Sequence, residues 1–228
     1  MPAARSWFKV HARVVLAQAK HSLMQLSDPD NTEALLDLGT VGMNGTATRH
    51  ALQADADLLS DRLQAQQEAS SWVDLARSEV RTLAEACFGW RQRLISRLRY
   101  AATCGADPAR SFPTEFGYRS LPRARARGIL NELPRLFDAL ERHEATLRPH
   151  GIRGDFLAEG RLLHDRLQAA QADVDEALAA RKQATHQVKR SHATVRDRLL
   201  QLSAADEAAA VEFGRAPRFA LVLLAPSP

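Results

Sequence analysis

Aromatic residues are scarce, at 6% of 228 residues. The apolar 45% therefore rests mainly on alanine, leucine and valine. Such a mixture suits slim helix–helix seams better than a thick globular centre. Cysteine is nearly missing as well. Cys87 and Cys104 fall on one expected helix, separated by a rise of about 25 Å at 1.5 Å per residue, too far for a disulfide. Free thiols and a reducing, cytoplasmic setting are expected. No apolar run approaches the length of a membrane span, and no apolar leader follows the start, so a membrane partner is not expected. Lysine is confined to Lys9, Lys20, Lys182 and Lys189, so arginine carries the net charge of +4. That excess is mild: it permits an acidic partner without requiring one.

Chemistry-bearing patterns are thin too. No glutamate has a histidine three residues on, and no two histidines stand four apart, so the helical spacings that hold metal ions are missing. No serine or cysteine sits in a nucleophile motif. The loop Gly39–Gly45 lacks the Gly-Lys-Ser/Thr of a phosphate loop and reads as a linker. A non-enzyme without cofactor, metal or small-molecule substrate is the expectation.

What is present is helix. Alanine, leucine, arginine, glutamine and glutamate dominate the long middle stretches, and all are strong helix formers. Residues 3–27 read as a first helix along Trp7, Val10, Val14, Ala17, His21 and Met24. A short helix follows at 32–38, with Asp30 or Asn31 as its cap. A second helix runs over 46–104 without a proline. Its seam is Leu52, Ala56, Leu59, Leu63, Gln66, then Ala69, Val73, Ala76, Val80, Leu83, Cys87, Trp90 and Leu94. The 4-3 spacing slips once, between Gln66 and Ala69, where a bend or a change of partner is expected. Glycines and prolines over 105–120 end that helix. A third helix spans 121–148, with Pro134 inside it to kink it. The fourth covers 154–213 along Leu163, Leu167, Ala170, Val174, Ala177, Arg181, Ala184, Val188, Ser191, Val195, Leu199 and Leu202. Arg181 and Ser191 are polar residues at seam positions, a device that fixes register. The fold class is thus all-α: an elongated helical bundle or antiparallel coiled coil, forming one domain over 1–216. An extended apolar tail, 217–228, completes the chain.

The two long helices resemble each other. Leu58–Gln67 matches Leu162–Gln171 at eight of ten positions, an offset of 104. Arg91–Ile95 resembles Arg196–Leu200 at an offset of 105. Pseudo-repeats over 1–104 and 105–214 follow, with convergence of helical seams as the other reading. Both helices also run from acidic to basic. Residues 46–76 carry five acids and two arginines, while 77–104 carry six arginines and two glutamates. Helix-end preferences fade within a turn, and these gradients span many turns. Laid parallel, such helices would make a rod with one basic and one acidic end.

Two readings of function follow. Helices of roughly 90 Å outrun short helices of roughly 40 Å at 1.5 Å per residue. Uncovered seams would then meet each other or a partner. The first reading is a non-catalytic structural or adaptor protein, a homo-oligomer or one docked on a protein partner. It would use the long helices and the tail residues Phe219, Leu221, Val222, Leu223 and Leu224. The alternative is nucleic-acid or polyanion binding through Arg91, Arg93, Arg97, Arg99, Arg119, Arg123, Arg125 and Arg127, where aromatic residues interleave with the cations.

Overall fold

A computed structural model describes residues 11–106, 126–219 and 221. Every regular element among them is helical. In chain order these are α1 (Ala12–Ser27), a 3-10 turn (Pro29–Asn31), α2 (Thr32–Thr40), α3 (Gly45–Thr103), α4 (Ala126–Arg142), α5 (Glu144–Leu147), a second 3-10 turn (Arg148–His150) and α6 (Gly154–Phe213). The long helices α3 and α6 pack antiparallel. Two contacts within one unit give the direction: Gln66 Nε2 donates to Thr185 Oγ1 at 3.0 Å, and Arg198 Nε to Asp55 Oδ2 at 2.6 Å. Moving back along α3 therefore means moving forward along α6.

That polarity accounts for the charge gradients. The acidic start of α3 faces the basic end of α6, and the basic end of α3 faces the acidic start of α6. Charge is paired along the helices instead of being separated to two ends, so the parallel rod does not form.

The helices pack as two compact units. Unit 1 takes residues up to Ala69 and from Ala180 onward; unit 2 takes Ser70–Ala179. Unit 1 therefore holds α1, α2, the first part of α3 and the last part of α6. Unit 2 holds the rest of both long helices with α4 and α5. The short helix packed against α3 changes from α1 to α4 at the boundary, which follows the heptad slip by a residue. Each short helix serves its own unit, which answers the length mismatch.

The core of unit 1 collects Val15, Ala19 and Leu26 from α1, Leu38 from α2, Leu52 and Leu59 from α3, and Val195, Leu199 and Leu202 from α6. Unit 2 buries Trp90, Leu94 and Leu98 from α3, Leu133, Phe137 and Leu140 from α4, and Phe156 and Leu167 from α6. Every position of the expected α3 seam is buried or half-buried. The same is true of α6 except at Arg181, which is exposed. Arg181 lies beside the unit boundary, where few α6 side chains are buried, so it does not serve the seam as expected.

Helix α1 corrects a second expectation. It buries Val15, Gln18, Ala19, Ser22, Leu23 and Leu26, while Val14 and Met24 face solvent. The face is rotated by about one residue, or roughly 100°. Two polar residues concealed it: Gln18 and Ser22 are buried because Gln18 Nε2 donates to Ser22 Oγ at 3.3 Å. Trp7 and Val10, like the start of the expected third helix at 121–125, lie outside the described residues. That third helix continues through Pro134 but stops at Arg142. There the His143 N–H reaches back only three residues, to Leu140 O at 3.3 Å.

Candidate functional site

Burial of the seam leaves Trp72 and Leu75 outside it. They sit three residues apart on α3, hence on one helix face, at 64% and 60% exposure. Their neighbour Val73 is fully buried. An indole and a leucine left together in water are an apolar surface that covering would stabilise, by about 1.5–3 kcal/mol for each fully buried side chain. The sequence contained this signal, because both residues stand off the Ala69–Val73–Ala76–Val80 seam. Seam analysis alone passed over them.

The arginines proposed for polyanion binding divide into two sets. Four of the five described ones are engaged within the chain. Arg91 is buried and lies 3.8 Å from Glu132. Burial raises the Glu132 carboxyl above its usual range, and the Arg91 charge pulls it back in part. Arg93 pairs with Glu159. Arg97 donates to the Gly151 carbonyl and lies 4.0 Å over the Phe156 ring. Arg99 has an interaction of its own within the chain. Arg127 is exposed in the first turn of α4. Arg119, Arg123 and Arg125 lie outside the described residues. The structure thus brings the first arginines together with acids, carbonyls and a ring as helix-joining groups.

No family model, curated protein or solved structure matches this chain. The functional reading therefore rests on the residues themselves.

The tail is the clearest departure from expectation. Phe219 is buried in the core of its own unit 1, and Leu221 packs against it half-buried. Val222, Leu223 and Leu224 lie outside the described residues. What fixes Phe219 is Asp206, a fully buried carboxylate on α6. Asp206 Oδ2 accepts the backbone N–H groups of Arg218 and Phe219 at 2.6 and 2.7 Å. Its Oδ1 accepts Arg215 Nη1 at 2.9 Å, while Arg215 Nε reaches Asp37 of α2 at 2.8 Å. Burial alone would lower the Arg215 guanidinium, but its bonds to Asp37 and Asp206 outweigh that and raise it. Arg218 Nη1 adds Asn31 Oδ1 at 3.3 Å. Gly214, at φ 64°, lets the chain turn off the helix end. The segment 215–219 is thus a strap binding α6, α2 and the first 3-10 turn. An acid beside Glu207 in an alanine-rich helix end gives no sequence signal for such a role.

The remaining features offer little chemistry. Cys87 and Cys104 are free, one buried and one exposed. Burial pushes the Cys87 thiol up to about 11. Among the described residues, no cluster of three or more His, Cys, Asp or Glu could hold a metal ion, and no helix is long and apolar enough to cross a membrane. An open groove of about 570 Å³ runs along α3 by Arg77, Val80, Arg81, Ala84 and Phe88. A smaller one of about 330 Å³ at the start of α6 is lined by Arg97, Arg153, Asp155 and Glu159. The Gly39–Gly45 linker ends in a cap: Asn44 Oδ1 accepts the Ala47 N–H at 2.9 Å.

Proposed function

We propose that this is a non-catalytic structural or adaptor protein that docks through its long helices, with Trp72 and Leu75 of α3 at the centre of the docking face. The observation that carries the reading is their joint exposure, 64% and 60%, on one helix face beside the buried Val73. Paired apolar side chains in that setting suit a protein partner or a second copy of the chain, because covering them removes apolar surface from water. The tail has a smaller part than the sequence suggested, since Phe219 already serves its own core.

The test is sedimentation velocity of the full chain over a range of concentrations, beside Trp72→Glu/Leu75→Glu. Self-assembly predicts a concentration-dependent larger species that the double variant loses while its helical circular dichroism is unchanged. A photo-crosslinking residue at position 72 extends the test to a foreign partner in the native host. A chain that stays monomeric and gives no adduct from position 72 would remove the proposal.

A further inference from the structure

The two units correspond at several positions of their long helices. Asp55 and Glu159 stand 104 apart, as Leu58–Gln67 and Leu162–Gln171 do. Arg93 and Arg198 stand 105 apart. Asp55 pairs with Arg198 in unit 1, and Glu159 with Arg93 in unit 2, so one ion pair is made twice at equivalent places. Burial repeats as well: Leu52 and Phe156 are buried, Leu94 and Leu199 are buried, and Leu58 and Leu162 are both exposed.

At one place the units differ in a compensating way. Unit 1 buries Ala56 and Val195. The equivalents in unit 2 are Gly160 and Trp90, shifted by the same 104 and 105. The Trp90 indole lies so close to the Gly160 backbone that a Cβ there would be 2.5 Å from Cε2, and 3.0 Å from Phe137 Cε1. No such approach is tolerated in a packed interior, and the ring cannot retreat. Trp90 stacks on Phe156 at 5.1 Å between centroids, leans on Phe137 at 5.5 Å, and donates Nε1–H to Phe156 O at 3.0 Å.

We infer that the two halves of the chain are copies of one helical unit, and that Trp90 and Gly160 are the pair by which they diverged. The pair makes each half fit the other and not itself. A first half laid against a second copy of itself would set Trp90 against Ala56, whose Cβ occupies the forbidden position. A second half laid against its own copy would set Val195 against Gly160 and leave a void. Overpacking and cavities both destabilise, and a repulsive element of this kind is what separates right from wrong partners. The surface so defined is the α3–α6 seam, and the partner it selects is the other half of the chain.

Two double-mutant cycles on the full chain test this, read by the denaturation midpoint. In unit 2, Gly160→Ala should lower the midpoint, and adding Trp90→Val should recover a substantial part of the loss. In unit 1, Val195→Trp should lower it, and adding Ala56→Gly should recover part of that loss. If Gly160→Ala alone fails to fold, the double variant still reads the rescue. Additive losses in either cycle would overturn the inference, because equivalent positions must show the same coupling.

Discussion

In unit 1 the core is aliphatic apart from Phe219 and is closed by a strap, with Asp206 holding two backbone N–H groups and Arg215. In unit 2 the core is built around Trp90, Phe137 and Phe156, packed ring against ring. The same arrangement of two half-helices and a short helix is therefore held by a buried, compensated charge in one case and by aromatic packing in the other. A thin seam of alanine and leucine needs a further element to close it. The choice of that element is local, leaving the pairing of α3 and α6 alike in both units.

The largest effect that would break this comparison is expected at Asp206. Asp206→Ala leaves the part-buried Arg218 N–H and the buried Phe219 N–H without their acceptor and takes one acid from Arg215, and should cost about 3–5 kcal/mol. Urea unfolding gives the size, and hydrogen exchange should show the loss at 215–219 and in α2. Next comes Trp90→Phe, which removes the bond to Phe156 O and opens a small void, at about 2 kcal/mol. Its exchange signature belongs to α4 and the start of α6.

The duplicated ion pairs sharpen the comparison further. Asp55–Arg198 is 20% and 31% exposed, whereas Glu159–Arg93 is 46% and 55% exposed. A double-mutant cycle should give a coupling of about 1 kcal/mol for the first and less than about 0.5 kcal/mol for the second. Equal couplings would mean that burial does not distinguish them.

The last effect is confined to alkaline pH and concerns Cys87. Its thiol is raised by burial from 9.0 to about 11, so the folded chain retains that proton where the unfolded chain has lost it. The proton contributes stability below about pH 9, and that contribution is lost as pH rises through 11. A Cys87→Ala chain should lose less stability than the native sequence between pH 9 and 11. Parallel curves for the two would contradict the assignment.

Much of this was readable in the residues. The bounds of α6, the seam of α3 and the slip before Ala69 follow from spacing alone, because a leucine or alanine every third or fourth residue admits one helical face. The buried face of α1 was hidden by Gln18 and Ser22, which are joined by a hydrogen bond and are buried without an apolar signature. The strap was hidden because Asp206 acts through backbone groups, which every residue carries. Of the proposed docking face, Trp72 and Leu75 were visible as apolar residues off the seam, but only the fold shows them 64% and 60% exposed. The arginines 91, 93 and 97 looked like a cationic surface because their partners lie between 41 and 66 positions away in sequence.

The most direct measurement of the central claim is hydrogen exchange across the whole chain for Asp206→Ala and Trp90→Phe side by side. Two units closed by different means predict that the first variant speeds exchange mainly in α1, α2 and the end of α6, and the second mainly in α4 and the start of α6. Uniform acceleration by either variant, or the same pattern from both, would contradict it.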